Sequence, residues 1–331
     1  MYRFLATLIV AALPSLALAT NKPGSQNFRG DVYTVYQFPD NGSWISNVVS
    51  RPNNDLVITR TDVPEVWAVK VDEGTADQVT TIPDVGSVIG LSRLDDDVYA
   101  VTAGNLDTAT LTPVPGSFSV WKVQLDSNGD GSASLIAKIP EAQFLHGILT
   151  FQKRPNSTLV LIADAGQGLI YKLDIVSGDY SIAIQDDALA GVNNIHSQDE
   201  YLYFTATQNR VFGRVPVDLE EGTATGPIEI LSDDQALIPD GFSLAPDGSV
   251  AYMATLQQNS VVAFNLKDEN YARETIQGGL NDTLIAGPTT VLFMKNGKYP
   301  TLYVPTNGGQ TAPVNGVFSE PAKVVGINLR M

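Results

Sequence analysis

One pattern returns six times along this chain, and it constrains the fold more than any other feature. Each copy has a short apolar strand, a turn rich in Pro, Asn, Asp or Gly, and a strongly β-prone strand. A further strand follows, often ending in Asp. The copies begin at Asn47, Ile89, His146, Asn193, Asp240 and Gly287. In the fourth, Asn193-Asn-Ile-His leads to Tyr201-Leu-Tyr-Phe-Thr205. In the fifth, Asp240-Gly-Phe-Ser-Leu leads through Pro246-Asp-Gly to Val250-Ala-Tyr-Met-Ala-Thr255. The strands that follow, such as Val66-Trp-Ala-Val-Lys-Val-Asp72, alternate apolar and polar side chains, which gives a strand one face for a neighbouring sheet. Starts roughly 40 to 57 residues apart match four-stranded propeller blades. One such unit cannot bury both faces of its sheet, but six packed radially can. The expected fold is therefore all-β, a six-bladed β-propeller of four-stranded antiparallel blades. Residues 20–331 are expected to form it as a single domain. Asp31-Val-Tyr-Thr-Val-Tyr-Gln-Phe38 also alternates. It is expected to close the ring against Val324 to Leu329.

Residues 1–19 read as a secretory signal peptide. Arg3 supplies a positive start, Leu5 to Leu13 is apolar apart from Thr7, and Ala17-Leu-Ala19 is a small-residue cleavage site. The run is too short to span a bilayer. The mature chain is expected to carry no membrane anchor and to be secreted or lumenal. Three glycosylation sequons fit that route, at Asn41, Asn156 and Asn281.

The chain has no cysteine, which excludes thiol nucleophiles, zinc–thiolate sites and iron–sulfur clusters. A mature chain of this length can bury a sizeable core without disulfides. The formal charge is −16. No basic stripe offsets it, so nucleic acid is not an expected partner. Small molecules are.

In a propeller the innermost strand of each blade lines the central channel, and the residues at its start face one mouth. Aligning the repeats on the shared turn proline sets Ser46 against Asp240, because Pro52 matches Pro246. The same register offers His146 and Asn193, with Asn194 and His196 close by. Trp44, next to Ser46, is expected near the same mouth.

At these residues the repeats resemble the senescence-marker-protein/gluconolactonase family of six-bladed propellers, and most of all its secreted fungal members. The marks are Trp44-Ile-Ser-Asn-Val-Val, Ala103-Gly-Asn105, Pro115-Gly-Ser-Phe-Ser-Val-Trp121, Tyr201-Leu-Tyr-Phe204 and Thr306-Asn-Gly-Gly309. Family lactonases hold a divalent cation on a Glu, two Asn and an Asp. By position Ser46 replaces the Glu and His146 the first Asn, while Asn193 and Asp240 match. The resemblance thus implies a weakened metal site. No cofactor is expected, and a cation, if bound, would rest on Asn193 and Asp240.

Some fungal members are pericyclases of a tropolone–sesquiterpenoid route. They join a tropolone ortho-quinone methide to a humulene-type sesquiterpene by hetero-Diels–Alder cycloaddition. The resemblance implies that chemistry here. His146 or Asn193 would donate to a substrate carbonyl, Asp240 would orient His146, and Ser46, Trp44 and Asn194 would contact substrate. The expected partners are small apolar or quinone-methide-like molecules. A lactonase with an altered metal site and a non-enzymatic binding propeller are the alternatives.

Other motifs have plainer readings. Asp126-Ser-Asn-Gly-Asp-Gly131 begins like a calcium loop, but its twelfth position is Ala137 rather than Glu, so a polar turn is expected. A Ser46–His146–Asp240 triad requires hydrogen-bond contact that spacing alone does not establish. Asp95-Asp-Asp97, Asp186-Asp187 and Asp233-Asp234 read as solvated loop charges.

Overall fold

A computed structural model describes residues 31–126, 128–150, 158–295 and 297–329. The expected signal peptide and Asn156 lie outside the described residues. Among the described residues the architecture is six antiparallel blades, five of four strands and the fourth of five because both Thr223–Ala224 and Glu229–Ser232 pair with Val211–Asp218, with one added two-stranded hairpin. The first blade runs Ile45–Ser50, Leu56–Arg60, Glu65–Lys70 and Thr75–Thr81 from the inside outward. The inner strands of the next five are Ser87–Asp95, Leu145–Thr150, Val192–Gln198, Pro239–Leu244 and Leu292–Met294. The extra hairpin, Leu106–Asp107 with Thr112–Pro113, lies in the long insertion of the second blade. The short 3-10 turn Asp187–Leu189 is capped by the Asp186 side chain, which accepts from Ala188 N. No described helix is long and apolar enough to cross a membrane.

The ring closes as the alternation predicts. Val32–Gln37 pairs antiparallel with Lys323–Asn328, from Val32 opposite Ile327 to Gln37 opposite Lys323. The sixth blade therefore takes its outer strand from the beginning of the chain. Apolar packing follows the same circular logic. Six buried clusters occupy the six gaps between neighbouring blades. Between the third and fourth blades, for example, Leu161 and Ile170 meet Leu202 and Phe204. Each fully buried Leu, Ile or Phe contributes about 1.5–3 kcal/mol. A blade is thus stabilised mainly by its two neighbours.

Some acidic turns do more than face solvent. Asp97 receives Arg51 of the first blade on both oxygens, at 2.8 and 3.1 Å. Asp234 pairs with Arg273 at 3.0 Å. The Asp126 side chain is spent on its own turn, accepting from Asn128 N at 2.8 Å and Asp130 N at 3.0 Å.

Candidate active site

The inner strands carry a repeated irregularity, and it builds the site. In the third blade the pairing jumps from Leu145–Asp164 to Ile148–Ile162, leaving His146 and Gly147 opposite one residue. The fourth blade leaves over Asn193 and Asn194, and the fifth Asp240 and Gly241. The second does the same at Ile89 and Gly90, and the first slips at Ser46. A β-bulge frees a residue from the alternation of the strand and re-aims its side chain. Here it recurs at one height around the channel and forms a neck.

Threonines stitch this neck together, three on the second strands of their blades and a fourth, Thr289, just before the sixth inner strand. Thr59 Oγ1 donates to Ile89 O at 2.7 Å, Thr102 Oγ1 to His146 O at 2.9 Å, and Thr205 Oγ1 to Asp240 O at 2.7 Å. Thr289 Oγ1 reaches Ile45 O at 2.9 Å and joins the last blade to the first. The glycines explain how the blades come so close. A Cβ on Gly147 would lie 2.7 Å from Asn193 O, and one on Gly241 would lie 2.1 Å from Thr290 Oγ1.

Three of the expected residues meet. Asn193 Nδ2 lies 3.5 Å from His146 Nε2. An amide nitrogen can only donate, so Nε2 accepts and the ring proton belongs on Nδ1, which has no protein partner. Burial drives the His146 pKa down to about 4, so the imidazole is neutral. Burial also raises the Asp240 pKa to about 7. Hydrogen bonding from the Asn193 side chain and the Gly241 N–H pulls the other way without offsetting it. No charged side chain offsets the burial, so the carboxyl is mostly protonated below about pH 7. Ser46 is buried at the equivalent height, but neither ring nitrogen of His146 is bonded to it among the described residues. A hydrolytic Ser–His–Asp relay is therefore not assembled.

Above the neck sits an apolar collar. Trp44, Phe144 and Ile238 each precede a neck residue by two positions, and each is half-buried. A side-chain acceptor anchors each backbone N–H: Asp62 for Trp44 at 2.8 Å, Asp164 for Phe144 at 2.9 Å, and Gln258 for Ile238 at 3.0 Å. The Phe144 ring stands edge-on to His146 with centroids 5.3 Å apart, and Phe118 lies 5.9 Å beyond it. Phe144, Ile238 and the threonine stitches were not singled out in the sequence. Their signals were a residue two before each site position and a Thr ending most copies.

Below the neck the channel opens into a chamber of about 420 Å³, lined by Asn47, Asn194, His196 and Thr290 among others. Ser46, His146, Asn193 and Asp240 do not line it. The tandem asparagines are thus divided, with Asn193 in the neck and Asn194 in the chamber. His196 packs edge-on against Phe242 at 4.8 Å.

No family model matches the chain. It is 24% identical over 94% of its length to a Phoma sp protein named "Putative hetero-Diels-Alderase", of which it covers 96%. A second protein so named, from Sarocladium schorii, is 26% identical over 56% of this chain and 53% of its own. Among solved structures, a calcium-binding regucalcin from Agrobacterium tumefaciens shares the fold. Its TM-score is 0.62 at 15% identity, with 92% of this chain and 96% of that chain covered. These likenesses support the family resemblance read from the repeats.

The donors at the neck do not fit a hard divalent cation, which requires six to eight oxygens and favours several charged ones. The neck offers a single carboxyl, an imidazole, a serine and the buried Asn193 Oδ1, which has no hydrogen-bond partner among the described residues. Among these oxygen donors only the carboxyl can carry charge. Among the described residues no three His, Asp or Glu side chains gather as a metal cluster.

Proposed function

We propose that this protein is a hetero-Diels–Alderase that works at the neck, joining a tropolone-type ortho-quinone methide to a humulene-type sesquiterpene. The observation that carries the reading is the uncharged hydrogen-bonding set of Asp240, Asn193 and His146 beneath an apolar collar. A concerted cycloaddition moves no proton and expels no leaving group. It responds to orientation, and to a donor that draws electron density from the carbonyl of the heterodiene. Below its pKa of about 7 the Asp240 carboxyl is such a donor, because burial disfavours its charged form. Asn193 braces it and is itself held by His146 on its other side. The Trp44, Phe144 and Ile238 collar is the apolar surface on which the hydrocarbon partner would rest. The names of the two fungal relatives support the same reaction class.

Synthesis through the secretory pathway belongs to this proposal. The sequon residues Asn41 and Asn281 are both exposed, as glycosylation requires. The function is tested by mixing purified protein with the quinone-methide precursor and the terpene. A faster reaction and one dominant stereoisomer are expected. A rate and product distribution equal to those in buffer would reject the proposal, and turnover of a lactone panel instead would favour a hydrolase.

A further inference from the structure

The chamber below the neck has a chemistry of its own. Three blades send a buried polar side chain to its inner end: Asn47, Asn194 and Thr290, which are 7%, 5% and 2% exposed. Asn47 Oδ1 accepts from Val48 N at 2.9 Å, which leaves its amide nitrogen unengaged. Among the described residues neither the Asn194 amide nor the Thr290 hydroxyl has a side-chain hydrogen bond. These three line a cavity large enough for a small ligand and have hydrogen-bonding capacity to offer it.

The opposite end differs. The inner strands rise by about 3.3 Å per residue, so the strand residues near Gln198 lie about 13 Å from Asn194. Arg93 lines the chamber two residues beyond Leu91 on its strand. Its nearby carboxylate, Asp97, is already taken by Arg51 through two bonds, and among the described residues Arg93 has no ion pair of its own. Asp199 also lines the chamber and is engaged by Gln198 Nε2 at 3.4 Å. Asp97 acts on Arg93 through space but no described side chain bonds it, so the guanidinium N–H donors remain to offer a ligand. Between the two ends, Leu91 and Leu292 give the walls apolar surface.

We propose that this chamber is a second binding site, separate from the neck, for a small hydroxylated aromatic carboxylate. The carboxylate meets Arg93 in the fork geometry that guanidinium favours. The ring lies against the leucines, and the hydroxyl at the far end bonds to the Asn47 and Asn194 amides.

The probes are 4-hydroxybenzoate and its neutral isostere 4-hydroxybenzamide, titrated calorimetrically into the full folded protein. Binding of the benzoate is expected, at least tenfold tighter than the amide. Arg93→Gln should weaken the benzoate at least tenfold and leave the amide unchanged. Asn194→Leu should weaken both. Asp240→Asn, at the neck, should alter neither. Near-UV circular dichroism checks that each variant folds, and Arg93→Gln, a change at a half-buried side chain, carries the test if Asn194→Leu does not. No heat with the benzoate at millimolar concentration overturns the proposal. So does binding indifferent to Arg93→Gln, or binding lost with Asp240→Asn. Because the probes and the Arg93 variant touch nothing at the neck, failure here leaves the cycloaddition reading standing.

Discussion

Asn193 Nδ2 lies 3.5 Å from Nε2 of His146, a residue 47 positions earlier in the chain. The two blades that carry them bring one bulge against the next, and Asp240 follows from the third blade in the series. The site is therefore a property of the ring rather than of any one segment.

The carboxyl of Asp240 acts in its protonated form, so the rate of cycloaddition should fall as pH rises through about 7. His146, with a pKa of about 4, is neutral on both sides of that limb and cannot cause it. Asp240→Asn substitutes a weaker donor that does not titrate. It should lose about tenfold to a hundredfold in rate and flatten the profile. Rates across pH 5–9 for the two proteins check this.

Stability should show the opposite consequence of the same burial. The folded protein holds the Asp240 proton up to about pH 7, whereas the unfolded chain releases it near 3.8. Between these values the unfolded state binds fewer protons, so stability falls as pH rises, by an amount on the order of 4 kcal/mol once pH exceeds 7. His146 and His196 act in reverse. Their pKa values drop from 6.5 to about 4, so the stability each contributes is present above 6.5 and lost as pH falls toward 4. Asp240→Asn should therefore raise the melting temperature at pH 8 and leave it nearly unchanged at pH 4, which thermal melts at the two pH values will read directly.

Close approach at the neck predicts which small change is intolerable. Gly241→Ala would place its Cβ 2.1 Å from Thr290 Oγ1 and 2.8 Å from Thr290 Cα. The second contact is backbone and cannot swing away. A loss of about 2–3 kcal/mol is expected from such overpacking. Gly279→Ala has open space around the new methyl and serves as the control. Chemical denaturation of both variants separates them.

Ring closure rests on Lys323–Asn328, which pairs with Val32–Gln37 outside it and Thr301–Pro305 inside it. Removing residues 321–331 strips one strand and orphans another. The truncated protein should fail to give a cooperative thermal transition. A melting temperature equal to that of the full chain would refute the closure.

Much of this was legible in the sequence because radial symmetry writes itself as repetition. The six copies gave blade number, and the alternation of Val32 to Gln37 gave the closing strand. Spacing of about one repeat also grouped Ser46, His146, Asn193 and Asp240. The bulges were not legible. An irregularity in pairing leaves no periodicity, and only the glycines after Ile89, His146 and Asp240 hinted at it. For that reason the sequence sets Asn194 beside Asn193 at one mouth, though the chain sends one to the neck and the other to the chamber. Asp97 reads in sequence as a solvated charge because its partner, Arg51, belongs to another blade.

The proposed chemistry requires an uncharged neck, and the Asp240 carboxyl tests it. Protein labelled at the aspartate side-chain carbon can be titrated by carbon NMR, with Asp240→Asn identifying the resonance. A midpoint near 7 is the result expected of a buried acid with no cation beside it. A resonance already ionised at pH 5 would mean that a positive group or ion sits at the neck, and the hydrogen-bonding account of catalysis would be contradicted.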